Sequence, residues 1–128
     1  IFAICLGMQI LLNKSSEDNQ FKGLNILPGD VIKIKTKKLP LPHIGWNKII
    51  CNNKKKFENL LNNKFFYFAH SYTCQIRKKK INKSFFKYEN KKYISTLNND
   101  NLYATQFHPE LSGINGFKLL EYFVNKND

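Results

Sequence analysis

The stretch Phe2-Ala3-Ile4-Cys5-Leu6-Gly7-Met8-Gln9-Ile10-Leu11-Leu12 decides how the rest of the chain is read. Phe2-Ala3-Ile4 is a short apolar run with the character of a buried strand end, which needs neighbours on both sides. At Leu6 the period changes. Met8, Leu11 and Leu12 fall at i, i+3 and i+4, so a helix is predicted over 6–14, ended by the polar residues Ser15 to Asn19. Cys5 stands at the point of change, where a strand turns sharply into a helix. The small residues Ala3 and Gly7 on either side let the two backbones approach, the requirement of a nucleophile elbow. Such a turn lifts the thiol above the sheet and places it at a helix N-terminus, where unpaired N–H groups favour the thiolate. An ordinary buried cysteine fits the same position, and this segment alone leaves both readings open.

Working outward, Pro28-Gly29-Asp30 is a turn signal. Val31 to Lys37 alternates apolar and basic residues and predicts a half-solvated antiparallel strand. Leu39-Pro40-Leu41-Pro42 is an extended approach to His43-Ile44-Gly45-Trp46-Asn47. A short helix is predicted over 57–61, and a buried strand over 65–69 that ends at His70-Ser71-Tyr72. Residues 73–97 hold two or three weak strands between basic loops. Leu102 to Phe107 reads as a strand, followed at once by His108-Pro109-Glu110. A last helix runs from about Ile114 to Asn125, with Phe117, Leu120 and Val124 on one stripe flanked by Phe123. Strand–helix, a strand-rich middle and strand–helix again describe an α/β sheet with an antiparallel insertion.

Length and composition bound the function. With 128 residues, the chain makes one modest domain. Its 42% hydrophobic and 14% aromatic residues supply a core. No apolar run is long enough to span a membrane as a helix, and the start has neither Met nor a basic segment, against a signal peptide. Cys5, Cys51 and Cys74 are too scattered for a disulfide scaffold or a zinc site, which leaves reduced thiols in a cytoplasmic protein as the expectation. The charge is +12, which raises the possibility of a nucleic-acid partner, a basic RNA-binding module with aromatic stacking platforms. Yet Arg77 is the one arginine, and phosphate recognition favours the guanidinium fork. Lys, Asn, Ile and Phe share A/T-rich codons, so a low-GC genome is the simpler source of the bias. The runs Lys54-Lys55-Lys56 and Lys78-Lys79-Lys80 then read as solvated loops.

His108 and Glu110 are spaced so that, in an extended backbone held by Pro109, both side chains point the same way and the carboxylate can orient the imidazole. Alone, the pair also fits a surface strand end. With Cys5, it completes a nucleophile, base and orienter. Here the sequence resembles the class I (triad) glutamine amidotransferases. Cys5-Leu6-Gly7-Met8-Gln9 is similar to their nucleophile motif and Gln106-Phe107-His108-Pro109-Glu110 to their His–Glu motif. Leu41-Pro42-His43-Ile44-Gly45-Trp46-Asn47 and Tyr67-Phe68-Ala69-His70-Ser71-Tyr72 resemble, more narrowly, the glutaminase subunit of imidazole glycerol phosphate synthase.

The resemblance implies an open α/β sheet of the class I type, here lacking its N-terminal strands and a P-G-x-G loop that gives one of two oxyanion N–H groups. It implies glutamine hydrolysis by Cys5, His108 and Glu110. Leu6 would supply an oxyanion N–H, with Gln9, Ser71 and Tyr72 holding glutamine. It calls for no cofactor or metal. It implies a heterodimer with a cyclase subunit that takes the ammonia into histidine biosynthesis, and places His43, Trp46, Asn47 and Leu111 near that interface. Leu111 stands where the family usually has Lys or Arg, and Ala3 where it has Gly. A glutaminase serving another synthase, such as a sugar-pathway paralogue, is the alternative within the class. A fragment without the P-G-x-G loop is expected to have little activity alone.

Overall fold

The computed structural model describes residues 1–17 and 22–126. In chain order the elements are β1 (Phe2–Ile4), α1 (Leu6–Gln9), β2 (Lys14–Ser15), β3 (Gly29–Lys33), β4 (His43–Lys48), β5 (Ile50–Cys51), α2 (Lys56–Asn59), β6 (Phe65–His70), β7 (Tyr72–Ile76), β8 (Asn82–Tyr88), β9 (Lys91–Asn99), β10 (Leu102–Thr105), a 3-10 turn (Pro109–Leu111) and α3 (Gly113–Lys126). A five-stranded sheet in the order β1-β10-β9-β8-β5 forms the centre. Only β1 and β10 pair in parallel within it. A three-stranded sheet, β2-β3-β7, and the β4–β6 pair stand beside it.

Strand alternation sends side chains to two cores. Ala3, Leu97 and Ala104 meet Met8, Leu11 and Leu12 of the α1 segment and Val31 and Cys74 of the three-stranded sheet. Tyr103 and Phe86 point the other way, to Phe66 and Phe68 of β6, Phe57, Phe107 and Leu119. Phe66, Phe68, Phe86 and Phe107 are fully buried, and each contributes about 1.5–3 kcal/mol by leaving water. The sheet is thus covered on both faces, the α/β arrangement read from the sequence.

Several elements differ from their prediction. The first helix ends at Gln9 rather than Lys14, although Met8, Leu11 and Leu12 are buried on one face. The carbonyls of Ile10, Leu11 and Leu12 are taken by the N–H groups of Leu24 to Leu27, so a returning loop replaces the helical ladder. A Cβ at Gly23 would stand 1.9 Å from the Leu12 oxygen, which is why that loop needs glycine there. Of the polar stretch that was to end the helix, residues 18 and 19 lie outside the described residues. The strand expected over 31–37 spans Gly29–Lys33. Beyond it, the Glu89 carboxylate accepts from the backbone N–H groups of Lys37, Lys38 and Leu39. The strands expected to be weak include β8 and β9, the longest in the fold, joined by a tight hairpin with Glu89 and Asn90 at positive φ.

The inward face of α3 is also not the predicted one. Phe117 and Val124 are exposed, while Gly116 and Leu119 are buried and the Phe123 ring packs, tilted, 4.6 Å from that of Phe2. The stripe 116-119-123 is offset by one residue from 117-120-124, and both obey the helical period. The choice falls to the close approach of Gly116 to the Pro109 carbonyl, which only a residue without Cβ permits.

Candidate active site

The N–H of Cys5 donates to the Thr105 carbonyl at 2.7 Å, extending the β1–β10 ladder by one residue. The chain then breaks direction, with Cys5 at φ 51° and ψ −107°, a conformation that costs a residue with Cβ on the order of 1–3 kcal/mol. The carbonyl of Cys5 accepts from Met8 and Gln9 and starts α1. Strain of this kind is the mark of a nucleophile elbow. The thiol faces a cavity of about 340 Å³ lined by Leu6, Gln9, Ala69, His70, Ser71 and Tyr72. It lies 3.9 Å from the Ala69 carbonyl and accepts from Gln106 Nε2 at 3.8 Å.

Burial raises the thiol pKa, outweighing the Leu6 N–H and the Gln106 amide that lower it; the carboxylates of Glu110 and Glu17 raise it further. The expectation of a thiolate held by a helix N-terminus therefore does not hold for the isolated group. The helix is one turn long, too short for much of a dipole.

His108 lies just beyond β10. Its N–H donates to the Tyr67 carbonyl at 2.8 Å, and its Nδ1 is 2.6 Å from Glu110 Oε1. The route to that contact differs from the predicted one. Pro109 opens a 3-10 turn, and the turn, not a continued strand, swings Glu110 back to His108. The Ser112 hydroxyl clamps the arrangement, donating to the His108 carbonyl at 2.6 Å and accepting from the Tyr67 N–H at 2.9 Å.

Cys5 and His108 are thus both fastened to β6, at the carbonyls of Ala69 and Tyr67. Carbonyls two apart on a strand lie on one edge, about 7 Å from each other. With Nδ1 committed to Glu110, the imidazole has Nε2 left for a second partner. Among the described residues no hydrogen bond joins it to the thiol.

The residues read as substrate-binding come together. Leu6, Gln9, Ser71 and Tyr72 all line the cavity. Gln9 Nε2 donates to the Tyr72 carbonyl at 3.1 Å and to Gln106 Oε1 at 3.2 Å. The residues read as partner-facing separate. Trp46 and Leu111 are exposed, whereas His43 is buried and Asn47 is tied to the Lys87 carbonyl at 2.8 Å. Trp46 shares its outer strand face with exposed Ile44 and lies edge-on to Tyr67; exposed Phe65, Leu111 and Ile114 are further large apolar groups on the elements beside it. Glu17, Ser112 and Gly116 were missed by sequence reasoning. Glu17 sat in a polar stretch read only as a helix stop, and it lines the cavity. No local signal marks Ser112 or Gly116. Among the described residues no cluster of three His, Cys, Asp or Glu side chains could hold a metal ion. No helix there is long and apolar enough to cross a membrane.

A strained cysteine at a strand–helix junction, with a His–Glu pair on the same strand edge, is the arrangement of a triad amidotransferase. The family described as glutamine amidotransferase class-I matches residues 1–126, and the chain belongs to it. Within the family it is 45% identical to imidazole glycerol phosphate synthase subunit HisH 1 of Methanococcus maripaludis, over 94% of this chain and 59% of that protein. It is 44% identical to subunit HisH of Methanocaldococcus jannaschii, over 94% of this chain and 61% of that protein. The chain thus spans about three-fifths of the curated relatives it matches. A crystal structure of a glutamine amidotransferase from Thermotoga maritima has the same fold, with a TM-score of 0.60, 18% identity, and coverage of 98% of this chain and 46% of that one.

Proposed function

We propose that the chain carries the glutaminase chemistry of an imidazole glycerol phosphate synthase, releasing ammonia from glutamine for a cyclase partner in histidine biosynthesis in the cytoplasm. The observation that carries this reading is the anchoring of Cys5 and His108 to neighbouring carbonyls of one strand, with Glu110 on the far nitrogen of the imidazole.

The chemistry follows from the groups present. Glutamine enters the cavity with its carboxamide over Cys5, and the Glu17 carboxylate faces its α-ammonium. The thiol turns from Ala69 to His108 Nε2, which takes its proton. The resulting imidazolium is stabilised by Glu110 and offsets the desolvation that keeps the thiol neutral at rest. Sulfur attacks the carboxamide carbon, and the Leu6 N–H donates to the developing oxyanion, an interaction worth roughly 3–4 kcal/mol. The imidazolium returns its proton to the departing ammonia. Water, activated by the same imidazole, then cleaves the thioester to glutamate. The apolar surface around Trp46 is the docking face for the cyclase: a cluster of exposed Ile, Phe, Leu and Trp is costly in water unless covered.

The test is competitive thiol labelling. A glutamine-analogue chloroketone is expected to alkylate Cys5 and to spare Cys51 and Cys74, whose thiols burial pushes up to about 11 and about 12. Labelling that glutamine does not suppress, or that falls equally on the three cysteines, overturns the reading.

A further inference from the structure

Two buried histidines have no part in the chemistry above. His43 on β4 and His70 on β6 are paired in register, and His43 Nδ1 lies 2.9 Å from His70 Nε2. Their protons can be assigned from the two ends of the chain of bonds they join. A carbonyl only accepts, so His70 Nδ1, 2.8 Å from the Tyr72 oxygen, carries hydrogen. Its Nε2 is then bare and accepts from His43 Nδ1–H. That leaves His43 Nε2 bare, facing Asn47 Nδ2 at 3.3 Å. The Asn47 amide is fixed independently: Nδ2 donates to the Lys87 carbonyl, and Oδ1 accepts from the Lys48 N–H. One assignment satisfies every contact.

The same Tyr72 carbonyl accepts from Gln9 Nε2. Gln9 also donates to Gln106, and Gln106 to the Cys5 sulfur. The chain of bonds therefore runs from the strand that bears Trp46 to the nucleophile. Packing alone does not call for nitrogens here. The His43 ring stacks on Phe68 and Phe86 at centroid distances of 4.9 and 5.2 Å, as a phenyl ring would. Burying four ring nitrogens carries a desolvation cost that an apolar pair avoids. What they add is direction.

We infer that His70, held in its Nδ1–H tautomer by His43, is a positioning residue for the glutamine cleft: it fixes the Tyr72 carbonyl, and through it the Gln9 and Gln106 amides beside Cys5. The inference rests on the reading of this cleft as a glutamine site. Burial keeps both rings neutral at pH 7, with pKa values lowered to about 4, so each holds one proton to place.

The experiment uses the whole chain. Long-range ¹H–¹⁵N NMR of the histidine side chains is expected to show both His43 and His70 as Nδ1–H tautomers; an Nε2–H tautomer at His70 overturns the inference. His43→Phe keeps the stacked ring and removes the donor. It is expected to release the His70 tautomer, shift the Gln9 side-chain amide resonances, and lower Cys5 alkylation by the glutamine-analogue chloroketone about five- to tenfold, the scale of one hydrogen bond. Iodoacetamide, which needs no glutamine contacts, should react within about twofold of wild type. His43→Asn, which retains an N–H donor near the Nδ1 position, should restore the chloroketone rate. A His43→Phe chain with wild-type amide shifts and an unchanged ratio of the two rates refutes the proposal. If the wild-type cleft shows no preference for the glutamine analogue, the functional reading fails, while the tautomers and the Gln9 resonances still decide this one.

Discussion

Replacing Gly116 by alanine tests how the His108–Glu110 turn is held. The new methyl would stand 1.8 Å from the Pro109 oxygen and 2.8 Å from its carbonyl carbon, with the Ser112 Cβ at 3.0 Å. Both obstructing Pro109 atoms are backbone, so no side chain can rotate away. Bringing the nearest contact to 3.0 Å moves the turn and the helix apart by about 1.2 Å. Overpacking of this kind costs about 1–3 kcal/mol, but Gly→Ala inside a helix returns about 1 kcal/mol. The net loss of stability is therefore small, about 0–2 kcal/mol. The loss of function is not. A displacement near 1 Å at a catalytic base costs on the order of 100-fold, and the displaced residues immediately follow His108. The measurement is glutamine turnover in the presence of the proposed cyclase partner, set beside the urea unfolding midpoint of the same variant. The expected result is a fold that survives with turnover reduced about 100-fold. Wild-type turnover in Gly116→Ala would refute the argument that this contact positions the imidazole.

Other outcomes follow from single groups. Ser112→Ala removes two hydrogen bonds and leaves the Tyr67 N–H without its acceptor, so it should destabilise the fold by about 1–3 kcal/mol in urea unfolding, and an unchanged midpoint would contradict that. The pH dependence of stability should reflect His43 and His70. Their folded pKa values, near 4, lie below the unfolded value of 6.5. Unfolded chains then bind more protons between those limits, and stability rises with pH across that window. It is complete above about 6.5 and lost as pH falls toward 4. The urea midpoint should drop over this range in the wild type and drop less in His43→Phe; equal slopes would show that the pair does not govern it.

The strand–elbow–helix start, the string ending in His108-Pro109-Glu110 and the Pro42 to Asn47 segment could be read without coordinates. Each is a short pattern whose meaning is carried by adjacent residues: a change of period at Cys5, proline between a base and an acid, an aromatic after glycine. These were enough to name the family and the open α/β fold. Which face of α3 turns inward was not readable, because 116-119-123 and 117-120-124 both repeat with the helix, and only the Pro109 carbonyl selects between them. Nor was the state of the Cys5 thiol. A helix start predicts thiolate from local geometry, but desolvation depends on everything packed over the sulfur. The hydrogen bond between His43 and His70 joins residues 27 apart, and Ser112 reaches Tyr67 across 45. Local sequence determines which elements form and which side chains could react. Burial, tautomer and reach depend on groups distant in the chain, and those were decided only when β6 anchored both Cys5 and His108, the two halves of the proposed site, to its carbonyls.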